Sequence, residues 1–157
     1  MIKKNFWAFF FVASLFSVDR LTKLAMINNV ENFGKTNISI TSFLDLNLIW
    51  NDGIAFGLFS FEKKIYYNVL TVIIILITLI ILWMAIKSEK FEKLAFLTVL
   101  GGSLGNIFDR LYYHSVPDFI DFHIGNFHWF IFNVADIFIS LGIFLLIYLE
   151  IFFKSKT

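Results

Sequence analysis

Ile65–Ile86, IYYNVLTVIIILITLIILWMAI, runs for 22 residues without a charged side chain, and the reading of the whole chain starts there. About 20 apolar residues wound as a helix cross roughly 30 Å of hydrocarbon. A surface helix of a soluble domain carries a charged face, and this one has none. Working outward, Phe91–Phe108 makes a second apolar stretch whose charges, Glu92 and Lys93, lie near its start. Residues 130–153 make a third, interrupted by Asp136 and closed by Glu150 and Lys154. Toward the N-terminus, Asn5–Val18 is uncharged and continues through Asp19, Arg20 and Lys23 to Ile27. The expectation is one integral membrane domain, 1–157, with spans at about 6–27, 65–86, 91–108 and 130–153.

Composition supports this. Of 157 residues, 59% are hydrophobic and 16% charged, against about 45–50% and about 25% in soluble domains. Such hydrophobicity excludes intrinsic disorder. A net charge of +1 lacks the electrostatic footprint of a nucleic-acid binder. With no cysteine, disulfides, thiol catalysis, thiolate zinc and iron–sulfur clusters are excluded. Lys3-Lys4 before an apolar run looks like a signal peptide, but no small-residue cleavage pattern follows; an uncleaved first helix is expected.

Four spans place both termini and the Lys87–Lys93 connection on one side, with seven lysines there (Lys3, Lys4, Lys87, Lys90, Lys93, Lys154, Lys156). The other side carries four cations, Lys35, Lys63, Lys64 and Arg110. Positive-inside then puts the termini in the cytoplasm. The outer segments mix Gly, Asn and acids with aromatics, and Asn37–Trp50 (NISITSFLDLNLIW) alternates as short strands do. Function is expected on the outer side.

Polar groups inside spans are costly and usually paired or functional, and four groups fall near the outer helix ends. Asp19 and Lys23 share a helix face at i, i+4, which a structural ion pair would also explain. Asn51-Asp-Gly-Ile-Ala-Phe-Gly57 suggests a tight turn that brings backbone close to a neighbour. In Gly101-Gly-Ser-Leu-Gly-Asn-Ile-Phe-Asp-Arg110, Gly101 and Gly105 suit close helix packing, which leaves Asn106, Asp109 and Arg110 unexplained; the stretch lacks the Gly-Lys-Ser/Thr end of a P-loop. The last group is Val116-Pro-Asp-Phe-Ile-Asp-Phe122 with Phe132-Asn-Val-Ala-Asp136. Asn133 and Asp136 share a face, and Asp118 lies 18 positions before Asp136, enough chain for the two carboxylates to meet. Facing carboxylates share a proton, so one can act as base on water while the other polarises a carbonyl. Magnesium or calcium would ask for further oxygen ligands, and the spacing of His114, His123 and His128 fits no common zinc motif. Asp121 is a rival carboxylate that spacing leaves open. Two other functions compete: a proton-coupled transporter or channel subunit with a line of acids across the bilayer, and a structural four-helix protein with an ion-pair network.

In their order and spacing, Asp-x-x-Thr-Lys (Asp19–Lys23), Asn-x-Gly-x-Ala-Phe (Asn51–Phe56), Gly-Gly-x-x-Gly-Asn-x-x-Asp-Arg (Gly101–Arg110), Val-x-Asp-Phe (Val116–Phe119) and Phe-Asn-x-Ala-Asp (Phe132–Asp136) resemble the lipoprotein signal peptidases, or signal peptidase II. The resemblance covers the chain from Asp19 to about Ser140. It implies an all-α membrane protein: a four-transmembrane-helix bundle with a small extracytoplasmic β-rich cradle and a loop, both from Asn28–Tyr66. It further implies an aspartic endopeptidase of the bacterial cytoplasmic membrane that cleaves N-terminal to a diacylglyceryl-modified cysteine. Its catalytic pair would fall on Asp118 and Asp136, with Asn51, Gly53, Asn106, Arg110 and Asn133 supporting the pair or touching substrate. Asp19, Lys23 and Asp109 match further motif positions. Its partners would be a diacylglyceryl prolipoprotein and membrane lipid; no nucleic acid, cofactor or metal is expected, and the chain is expected to be a monomer. The chain departs from the pattern at Asp52, Ile54 and Pro117. Pro117 pushes Val116 toward an extended conformation, which suits chain entering a site.

Overall fold

The computed structural model describes residues 6–34, 36–53 and 64–154. Lys3, Lys4, Lys35, Lys63, Lys156, the Ile54–Gly57 part of the turn motif and the expected loop lie outside them.

The elements run α1 (Phe6–Phe33), β1 (Asn37–Thr41), β2 (Leu44–Asn51), α2 (Lys64–Lys87), α3 (Lys90–Tyr112), β3 (Val116–Ile124), β4 (Phe127–Phe132) and α4 (Val134–Leu149), followed by a π-helical turn, Glu150–Lys154. Helix α3 is the hub, packing against α1, α2 and α4, most extensively α4. Glycine makes the close approaches possible. A Cβ on Gly101 would stand 2.8 Å from Leu15 Cβ of α1, and one on Gly102 would collide with the Ala135 carbonyl of α4. The Gly101/Gly105 pattern therefore turns to α1, and Gly102 with Gly142 serves α4.

Among the described residues, two helices are long and apolar enough to cross a membrane, Tyr66–Lys87 and Val134–Phe153. Most of their side chains face outward; Val72, Ile73, Leu76, Ile77 and Ile80 of α2 are exposed, a surface that suits hydrocarbon rather than water. In α1 and α3 the charged side chains of Asp19, Arg20, Lys23, Asp109 and Arg110 point inward, while Glu31 and Lys90 near the helix ends are exposed. The largest fully buried side chains are Lys23, Asn133, Asp19, Asp109, Asp121 and Pro117. The interior at this end of the molecule is polar and the exterior apolar.

The sheet is larger than expected. All four strands pair antiparallel in the order β1-β2-β3-β4. Strands in 37–50 were expected, but 116–132 reads from sequence as connection and span. In fact Val116–Phe132 is a hairpin closed by Gly125-Asn126, with Gly125 at φ +60°, where glycine is favoured. The label all-α is corrected accordingly: the fold is a helical body with a four-stranded sheet. The last helix starts at Val134 rather than 130. Apolar run length cannot separate an aromatic strand from the helix it leads into; the stop signal was Asn133, whose side chain caps α4 while Asp136 caps back, a capping box. Helix α1 extends to Phe33 and α3 to Tyr112, so Asp109 and Arg110 sit on a helix and not in the connection beyond it. After α3, His114 takes a left-handed turn at φ +59°.

Candidate active site

The site is assembled where α1, α3, β2, β3 and the start of α4 meet. Asp118 is supplied by β3 and is 3% exposed. Its Oδ1 accepts from Asn133 Nδ2 at 2.6 Å and its Oδ2 from Asn51 Nδ2 at 2.8 Å. Asp136 lies in the first turn of α4; its Oδ1 accepts from Asn106 Nδ2 at 2.8 Å and its Oδ2 from the Asn133 backbone N–H at 3.1 Å. Asn133 thus holds both carboxylates, one by its side chain and one by its main chain.

Burial, and next the charge of Asp136 beside it, push the Asp118 carboxyl up to about 7; the amides of Asn51 and Asn133 pull the other way. A carboxyl so placed exchanges its proton near neutrality. Both acids border a cavity of about 320 Å³, together with Asn51, Asn106, Arg110 and Asn133. A larger apolar groove of about 630 Å³ lies between the sheet and α4. It is lined in part by Phe43, Phe122, Trp129 and Phe144, and it shares Asp136 and Ser140 with the first cavity.

Behind the carboxylates lies a buried ion quartet. Lys23 Nζ reaches Asp19 Oδ2 at 2.9 Å, Asp109 Oδ2 at 2.7 Å and Asn106 Oδ1 at 2.8 Å. Arg20 pairs with the other oxygen of Asp109, and its guanidinium lies 4.8 Å from the Phe108 ring. Asp19 also accepts the Ala135 N–H at 2.9 Å, so a carboxylate from α1 sits at the N-terminus of α4, where the helix dipole favours an anion. Gly105 makes room for it: a Cβ there would collide with Asp19 Oδ2.

Gly53 contributes backbone. Its N–H donates to Asn51 Oδ1 at 2.8 Å, and its carbonyl accepts from Arg110 Nη2. The Arg110 guanidinium lies 5.4 Å from the Tyr67 ring, and its buried Nη1 has no hydrogen-bond partner among the described residues.

Every residue singled out from sequence for the site therefore falls in one connected network: Asp19, Lys23, Asn51, Gly53, Asn106, Asp109, Arg110, Asp118, Asn133 and Asp136. Asp121 does not join it. Its carboxylate pairs with His128 Nδ1 at 2.9 Å. No group of three or more potential ligands is arranged for a metal ion among the described residues. Three contributors escaped the sequence reading. Arg20 stood inside the first motif, and its neighbour Asp19 gave no hint that Asp109 was its partner. Tyr67 and Ser140 carry no local signal, because only packing brings them to Arg110 and to the cavity.

Comparison with known proteins identifies a family. The family model described as Signal peptidase (SPase) II matches residues 11–153. A lipoprotein signal peptidase of Pelagibacter ubique (strain HTCC1062) is 47% identical over 154 residues, covering 98% of this chain and 93% of the relative. One from Francisella tularensis subsp. novicida (strain U112) is 38% identical, with 95% and 94% covered. Among solved structures, a bacterial membrane enzyme determined by the in meso method at 2.3 Å superposes with a TM-score of 0.73 at 27% identity, over 96% of this chain and 91% of that one. With a family match across most of its length and relatives this similar, the chain belongs to the signal peptidase II family.

Proposed function

We propose that this protein removes the signal peptide from prolipoproteins by a two-aspartate mechanism, cutting on the N-terminal side of a diacylglyceryl-modified cysteine. The observation that carries the reading is Asn133, which donates to Asp118 and to Asp136 at once. In the reaction as we draw it, Asp136 takes a proton from a water in the cavity while protonated Asp118 hydrogen-bonds the scissile carbonyl. The hydroxide oxygen adds to the carbonyl carbon, and collapse of the tetrahedral intermediate breaks the C–N bond and expels the amine, which takes the proton that Asp136 had accepted from water and so returns Asp136 to its ionised form. The rise of the Asp118 carboxyl to about 7 supports its place as the acid. This chemistry calls for no metal or cofactor. Arg110 and the turn at Asn51 and Gly53 form the wall that would meet substrate, and the apolar groove beside Asp136 suits its lipid-bearing end.

The same reading makes the chain a single multi-pass domain of the bacterial cytoplasmic membrane, acting as a monomer. All four long helices would span: α2 and α4 by their apolarity, α1 and α3 because their charges are buried against each other. Both termini would be cytoplasmic, and the carboxylates would lie near the extracytoplasmic face. A proton relay finds less support, since Asp19, Asp109, Asp118 and Asp136 cluster in one network rather than along a path across the bilayer.

The test is incubation of the purified protein with a diacylglyceryl-modified precursor. Cleavage before the modified cysteine is expected, with none for Asp118→Asn or Asp136→Asn at unchanged folding. Turnover by either variant overturns that carboxylate's role, and acid-dependent proton flux in liposomes without cleavage would favour the relay.

A further inference from the structure

We propose that Lys23 is a positioning residue for the peptidase reaction, acting on Asp136 through the side-chain amide of Asn106. The inference rests on the two-aspartate reading above.

An asparagine side chain presents an oxygen that only accepts and a nitrogen that only donates, on a nearly symmetric frame. Three of them surround the two carboxylates, and each must turn its nitrogen inward to bind an anion. Asn51 is keyed by the Gly53 N–H, which occupies its oxygen at 2.8 Å. Asn133 is keyed by the Asp136 N–H, at 3.1 Å. Both keys are main-chain groups that any side chain leaves in place. Asn106 differs: its oxygen is held by Lys23 Nζ at 2.8 Å, so its orientation depends on a side chain.

Charge pairing alone does not ask for that contact. Lys23 and Arg20 balance Asp19 and Asp109, and both carboxylates are reached by the lysine directly. An ammonium has three N–H donors and no acceptor. Two go to the acids, and the third is aimed at the Asn106 oxygen. Inverting the amide would set its oxygen against Asp136 Oδ1 and its NH₂ against Lys23, replacing two hydrogen bonds by two repulsive contacts. With the amide keyed, Asp136 meets donors on both oxygens, from Asn106 and from the Asn133 main chain. That fixes the carboxylate's plane and leaves its other lone pairs to receive the proton of water.

The experiment is a kinetic double-mutant cycle on the full chain with the diacylglyceryl-modified precursor. Lys23→Met should lower kcat by about tenfold or more with KM unchanged, yet by less than about twofold when introduced into Asn106→Ala, because the route through the amide is already cut. Equal losses in both backgrounds overturn the proposal. Asn106→Asp keeps a partner for Lys23 and sets an acceptor against Asp136; its kcat should fall about tenfold below that of Asn106→Ala. Activity of Asn106→Asp equal to or above Asn106→Ala also overturns it, and decides the matter alone if Lys23→Met fails to fold in a thermal melt. Turnover by Asp136→Asn would instead bring down the underlying two-aspartate reading, so the two failures are distinguishable.

Discussion

Asp118 and Asp121 stand three residues apart on β3, and both are almost fully buried, at 3% and 1% exposure. Their surroundings differ. Side chains an odd number of positions apart on a strand point to opposite faces, so Asp118 turns toward the cavity bordered by α3 and α4 while Asp121 turns to the other side. Asp118 meets neutral amides and a second carboxylate. Asp121 meets the imidazole of His128, which is half exposed and stacks on His123 with ring centroids 5.1 Å apart; His123 in turn approaches Asp45 at 3.5 Å. A buried acid paired with an imidazole on the next strand has a hydrogen-bond partner that ties the hairpin together. One placed beside another acid has its carboxyl raised by the neighbour's charge, the setting in which two carboxyls can share a proton. Burial alone does not distinguish the two, but their partners do.

Substitution offers the sharpest break of that comparison. Asp118→Asn or Asp136→Asn should lower kcat/KM by about 10³-fold or more, within the range that general acid–base groups command. Asp121→Asn should change it by no more than about threefold, under ~1 kcal/mol of barrier. A large loss at Asp121 with intact folding would mean that both buried acids of β3 serve the reaction.

The next effect is on stability. Asp109→Ala leaves Lys23 and Arg20 short of a buried counter-charge and should destabilise the fold by about 3–5 kcal/mol, read as an earlier thermal transition in detergent. His128→Ala removes a half-exposed neutral-or-cationic ring and leaves one buried carboxylate, Asp121, without that partner; it should cost less, about 1–3 kcal/mol. Equal shifts for the two would mean that the sheet-side pair matters as much as the quartet.

A third measurement reads the proton itself. With Asp118 pushed up to about 7 and required in its protonated form, kcat/KM should decline as pH rises through that value. Asn51 donates to the ionised form, so Asn51→Ala should move this alkaline limb upward, by roughly half a pH unit to one unit if the hydrogen bond is worth about 1 kcal/mol net. A downward shift would contradict the assignment of Asp118 as the acid.

Much of the site was legible because its parts are local. Asp19 and Lys23 at i, i+4 share a face wherever a helix forms, and Asn133-x-x-Asp136 is a helix start written in four residues. The expected strands at 37–50 appeared for the same reason, since alternation is a short-range property. The second hairpin was missed because Phe127–Phe132 is apolar but for His128 and merges with the run that follows. A continuous apolar run has no period to read. Only Gly125-Asn126 and Asn133 punctuate it, and both signals are short.

The sequence alone determined that the chain carries long uncharged helices, that its acids and asparagines recur in a particular order, and which of them share a turn of helix. These follow from covalent spacing and from the cost of leaving charge in an apolar run. Tertiary structure decided the rest. It brought Asp118 to Asp136 through Asn133, gave Asp109 its Arg20, sent Asp121 to His128 and aimed the third N–H of Lys23 at Asn106. Those partners lie from 7 to 89 residues apart in sequence, on different elements. They meet because the missing Cβ atoms at Gly102 and Gly105 let α3 close on α4 and on Asp19 of α1, a matter of three-dimensional packing that no spacing along the chain records.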